Sequence, residues 1–105
     1  DARKKWIISS LSSSGKIYID QGAARALNNG KSLLAAGIIK IDGVFEKGEN
    51  ILVVNENNKS LARGLSSFSS SEINKIKGKQ SKEIEIILGY LSKSEVIHKD
   101  DMVKL

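Results

Sequence analysis

The 105 residues contain no cysteine and no proline. Without cysteine the chain can form no disulfide, thiolate-bound zinc, iron–sulfur cluster or thiol nucleophile. Nothing in it asks for an oxidising compartment, and a cytoplasmic address is expected. Aromatic side chains are few: Trp6, Tyr18, Phe45, Phe68 and Tyr90. No strand-like run carries two of them at i and i+2, which argues against a platform for stacking RNA bases. His98 is the only histidine. It has no imidazole or thiolate partner for a transition metal, so its expected role is structural hydrogen bonding. Long apolar runs are also missing. The longest, residues 33–39, falls far short of the ~20 needed to cross a bilayer, and no basic-then-apolar leader opens the chain. A soluble protein without a membrane partner is expected.

What is present is a single-domain length with an ordinary share of apolar residues, which excludes disorder. Seventeen basic against twelve acidic residues give a net charge of +5. The surplus is spread along the chain: residues 1–54 hold eight bases and five acids, residues 55–105 nine and seven. Two short clusters stand out, Arg3-Lys4-Lys5 and the group Lys75, Lys77, Lys79, Lys82. Both are expected to be solvated faces.

Residues 6–11 and 16–19 are strand-like runs separated by the turn-like Ser12-Ser13-Ser14-Gly15. Asp20 suits an N-cap, Gly22 to Leu27 supplies small and apolar residues around Arg25, and Asn28-Asn29-Gly30 is a helix stop. Ala23, Ala24 and Leu27 make one face of this helix, with Arg25, Asn28 and Asn29 opposite. Residues 37–41, 50–55 and 60–68 read as three further strands, the last two joined as a hairpin. Ser69 and Glu72 have capping-box spacing, with Phe68 and Ile73 placed as a hydrophobic staple, and this helix should stop at Gly78. Ser81 is expected to cap a third helix, with Ile84, Ile87 and Leu88 on one face and Gly89 at its end. Val96-Ile97 and Met102-Val103 leave room for a closing strand. The sum is an α+β, mostly β domain: a pseudo-barrel of five or six short mixed strands with about three small helices.

Motifs for catalysis are not found. Gly30-Lys31-Ser32 ends like a phosphate-binding loop, but Arg25 stands where the earlier glycine belongs and a helix precedes it instead of a strand. Gly30 is better read as a helix C-cap. Glu83 and Glu85 fall on different sides of a helix and cannot work as an acid–base pair. Neither a catalytic residue nor a cofactor-binding or metal-binding residue is expected.

Asp20, Gly22-Ala23-Ala24-Arg25-Ala26-Leu27, Ser32-Leu33-Leu34 and Gly37-Ile38 resemble the opening motif of PUA domains. Phe45-Glu46-Lys47-Gly48-Glu49, Leu61-Ala62-Arg63-Gly64-Leu65, Phe68-Ser69-Ser70-Ser71-Glu72, Leu88-Gly89-Tyr90 and Glu95 through Asp100 resemble the C-terminal PUA domain of bacterial glutamate 5-kinases. The resemblance runs from Arg3 to Leu105. It implies a PUA domain over residues 6–105, preceded at 1–5 by a basic linker from an amino-acid-kinase domain that would be its partner in the same chain. It also implies that ATP and magnesium serve that other domain in phosphorylating L-glutamate for proline synthesis, and that this domain modulates regulation or assembly, including oligomer formation. RNA binding is the alternative. Related PUA domains present the first helix and the segment after it to RNA, which here implicates Gly22, Ala23, Arg25, Lys31, Leu34 and Gly37.

Overall fold

The computed structural model describes residues 14–90 and 92–105. The strand expected over 6–11 and the linker at 1–5 lie outside them. Strand β1 (Gly15–Ile19) alternates as read, with Ile17 and Ile19 fully buried and Lys16 exposed. It runs antiparallel to β3 (Ile38–Asp42) and parallel to β4 (Asn50–Val54). β4 forms the anticipated hairpin with β5 (Ser60–Leu65), and β5 pairs antiparallel with β7 (Met102–Lys104). The sheet order is β3-β1-β4-β5-β7. The hairpin turn is organised by Asn55, whose Oδ1 accepts from the backbone N–H groups of Asn57 (2.9 Å) and Lys59 (3.0 Å). Such an Asx turn replaces ladder bonds the turn backbone cannot make.

Helix α1 (Gln21–Asn28) follows β1 directly, helix α2 (Ser70–Ile76) follows β5, and α3 (Ser81–Leu88) follows α2. At α2 the capping box closes as expected: Ser69 Oγ accepts from the Glu72 N–H at 3.2 Å, and Glu72 Oε1 accepts from the Ser69 N–H at 2.8 Å. Phe68 and Ile73 are both buried beneath it. Ser70 adds a two-way tie to the loop before β4, accepting from the Phe45 N–H at 3.1 Å and donating its own N–H to the Phe45 carbonyl at 2.9 Å.

Three local expectations need correction. The cap of α3 is Gln80, not Ser81: Gln80 is extended and its N–H is accepted by Glu83 Oε2 at 2.9 Å, so Ser81 becomes the first helical residue. On that helix Ile84 is buried but Ile87 lies at its exposed margin. The C-terminal segment forms two strands in different sheets, where one closing strand was expected. β6 (Glu95–Ile97) pairs with the two-residue β2 (Leu33–Leu34), and a 3-10 turn at Lys99–Asp101 then leads into β7. Seven strands and three helices therefore stand among the described residues, in a mixed α+β domain with two sheets.

The core between the sheets is aliphatic, built on Ile17, Ile51, Val53, Ile73, Ile76, Ile84 and Ile97 with the rings of Phe45 and Phe68. The small sheet is pressed onto the large one at Gly64. A Cβ there would stand 2.5 Å from Ile97 Cγ2 and 2.9 Å from the Asp101 carbonyl, so only glycine admits β6 and its turn at this depth. This close approach fixes the β2–β6 ribbon beside α1. None of the described helices is long and apolar enough to cross a membrane.

Candidate nucleic-acid interface

The ribbon and α1 enclose a groove of about 490 Å³. Its construction starts at Asp20, where Oδ1 accepts from the Ala23 N–H at 2.8 Å and caps the helix while the Asp20 N–H donates to the Gly37 carbonyl at 3.0 Å. Cap and carbonyl together bring the 3-10 turn Ala35–Gly37 against the first turn of α1. The contact is tight: a Cβ on Gly37 would lie 2.4 Å from the Ala23 Cβ. Leu27 is the buried residue of α1, and Ala23 and Ala24 are half-buried against the core. The helix stops at Asn29 and Gly30, the latter with φ +76°, which reverses the chain into Lys31. Gly30 thus acts as a helix terminator, as its sequence context indicated.

Five of the six residues named for this site come together in the groove: Gly22, Ala23, Lys31, Leu34 and Gly37. Arg25 does not line it. It is exposed on another side of α1, about 200° around the helix from Ala23. The lining also includes residues that were not named as site residues, above all Asp20 and Glu95. Glu95 arrives through the pairing of Leu34 with Glu95 across β2 and β6. A two-residue strand carries no readable period, so no sequence signal announced this partner. Ala26, one turn after Ala23, could have been found from helical spacing.

Two glycines of the groove differ in why they are small. Gly37 has no room for a side chain, whereas a Cβ on Gly22 would meet nothing nearer than Asp20 Oδ1 at 3.5 Å, an ordinary contact. Gly22 is exposed and its φ is not positive. Packing therefore accounts for Gly37 and leaves Gly22 unexplained by the fold.

The groove wall is mostly apolar, with Leu34 43% exposed at its mouth. Its charged groups are the carboxylates of Asp20 and Glu95 and the ammonium of Lys31. Such a lining suits a flat, partly apolar group with hydrogen-bond donors better than a bare phosphate chain. The other basic cluster lies elsewhere. Lys75, Lys79 and Lys82 are exposed around the junction of α2 and α3, and Lys77 Nζ donates to Asn74 Oδ1 at 3.0 Å. His98 caps the 3-10 turn, its Nδ1 accepting from the Asp100 N–H at 3.1 Å.

Residues 15–88, from β1 to the end of α3, match the PUA domain model, and the chain belongs to the PUA family. Within it the chain is similar over all of its 105 residues to the C-terminal part of the glutamate 5-kinase of Pelagibacter ubique (strain HTCC1062), at 67% identity. It spans about 28% of the length of that curated relative. Among solved structures, a PUA domain from Aeropyrum pernix K1 superposes with a TM-score of 0.61 at 22% identity, over 81% of this chain and 41% of that one. An H/ACA RNP bound to a substrate RNA gives 0.58 at 19%, over 80% and 22%.

Proposed function

We propose that this PUA domain is the C-terminal, non-catalytic part of a glutamate 5-kinase and acts on the regulation or assembly of that enzyme. The observation that carries the reading is the 67% identity, uninterrupted across the whole chain, to the corresponding part of a glutamate 5-kinase. On this reading the partner is an amino-acid-kinase domain in the same polypeptide, in the cytoplasm. That domain phosphorylates the γ-carboxylate of L-glutamate with ATP and magnesium. The test compares the whole enzyme with a version ending before Arg3. Loss of the domain should change feedback sensitivity, metal requirement or oligomeric state more than the chemical step. Unchanged kinetics and assembly would remove the regulatory role.

RNA binding is a second reading, favoured by the groove that gathers Gly22, Ala23, Lys31, Leu34 and Gly37. A structural neighbour carrying the same fold is part of an RNP bound to a substrate RNA. A site that reads RNA shape should keep a preference for structured over single-stranded RNA at about 200 mM salt and lose it in Gly22→Glu, while attraction to phosphates alone fades steeply with salt. Weak, salt-sensitive binding is expected, because the groove itself carries two carboxylates.

A further inference from the structure

Beside the groove, and sharing Lys31 with it, a second cleft of about 490 Å³ opens between the C-terminal end of α1 and β7. Its charge is opposite. The groove sets one ammonium against two carboxylates, whereas Lys31, Lys99 and Lys104 all line the cleft against the single carboxylate of Asp100. Three lysines against one aspartate in the lining leave a formal surplus of about two positive charges around it, which favours an anion.

The fold holds the backbone of Lys31 and Lys99 and the side chain of Lys104 in place. The Lys31 N–H donates to the Ala26 carbonyl at 2.9 Å, the Lys99 N–H to Ser32 Oγ at 2.8 Å, and Lys104 Nζ to the Asn28 carbonyl at 3.1 Å. All three lysines are solvent-exposed.

The geometry points to a phosphate-binding cleft formed by Lys31, Lys99 and Lys104. Ammonium groups are compact point charges without the planar fork that matches a carboxylate, so lysines supplied by the segment after α1, the 3-10 turn and β7 suit a tetrahedral anion. A phosphomonoester carries about −1.5 to −2 at pH 7, which balances the surplus. Leu27 and Met102 in the lining offer apolar contact to the organic body of such a ligand. The proposal holds with or without a kinase partner, and it concerns a different cleft from the groove.

The test titrates the 105-residue chain with inorganic pyrophosphate and, separately, with a folded RNA hairpin at about 150 mM salt, following backbone amide shifts. Two double variants remove the same charge: Lys99→Gln with Lys104→Gln in the cleft, and Lys75→Gln with Lys79→Gln away from it. Glutamine at 104 keeps a donor for the Asn28 carbonyl, and Lys99→Gln alone serves as a milder version. The cleft variant should bind about tenfold more weakly and the control less than twofold, as expected for lost charge-assisted hydrogen bonds. Shifts should centre on Gly30, Lys31, Lys99 and Asp100. That loss with pyrophosphate identifies a free phosphoryl ligand; the same loss with the hairpin alone identifies a phosphodiester chain. Equal losses in the two variants, or no binding of either probe, would overturn the proposal and leave only diffuse attraction to a chain of charge +5.

Discussion

Helices α1 and α2 are nearly equal in length, eight and seven residues, and each begins on a side-chain oxygen cap. They are anchored in opposite ways. α2 buries Ile73 and Ile76 among large side chains, and it is tied at its start by the Phe68 staple and the two-way hydrogen bonds between Ser70 and Phe45. α1 buries only Leu27 and is held by proximity: an alanine face against a glycine turn, with one wall left open as the groove. The lesson is that volume stabilises the α2 side while the α1 side depends on what is absent. Large side chains there would close the groove.

The contrast can be broken most directly at its heaviest residue. Phe68→Ala should lower unfolding stability by about 3–5 kcal/mol, through lost transfer free energy and the cavity left behind. Leu34→Ala, on the open wall of the groove, should stay within about 0.5 kcal/mol. Denaturant midpoints of the two variants decide it; comparable losses would make the groove wall part of the core. Next in size is Gly37→Ala. Its Cβ would collide with the Ala23 Cβ, a rigid neighbour that cannot swing aside, and the expected cost is about 1–3 kcal/mol. Adding Ala23→Gly should restore much of that loss, and a double-mutant cycle showing no coupling between the two positions would disprove the close approach. Ser69→Ala should cost about 1 kcal/mol by deleting the N-cap of α2, and Asp20→Ala about as much at α1. Equal costs at the two caps would confirm that the helices differ in packing and not in how they start.

Much of this was legible in the sequence wherever the signal was local. The alternation of Ile17 and Ile19, the Asp20 cap, the Ser69/Glu72 box and the stop at Gly89, which is left-handed at φ +81°, each reside within a few residues. Gln80 is also within reach of sequence reasoning, because Glu83 stands three residues after it, but the neighbouring Ser81 is the stronger cap by residue type. The pairing of Leu33 with Ile97 was not legible: the two are far apart in sequence and β2 is too short for a pattern. That pairing brings Glu95 into the groove, so the site's fold-fixed parts were readable and its electrostatics were not. Arg25 illustrates the reverse error. Its neighbours Ala23 and Ala26 line the groove, yet helical geometry turns residue 25 away from both.

The smallest expected effect sharpens the comparison most, because its sign is opposite. Gly22 sits in the first turn of α1, exposed, with space for a methyl group and no left-handed backbone to require glycine. Gly22→Ala should therefore stabilise the chain by about 0.4–1 kcal/mol, chiefly by narrowing the unfolded ensemble. If thermal unfolding shows that gain while Gly37→Ala shows a loss, the two glycines of one groove are small for different reasons, one to let the backbone pack and the other to keep the groove's rim low. A loss at Gly22 as well would mean that the first turn of α1 packs more tightly than its geometry indicates, and the small residues of this groove would all be demanded by the fold. With the gain in hand, the same variant separates stability from recognition: any RNA preference it abolishes at about 200 mM salt must come from the methyl group at the groove and not from unfolding.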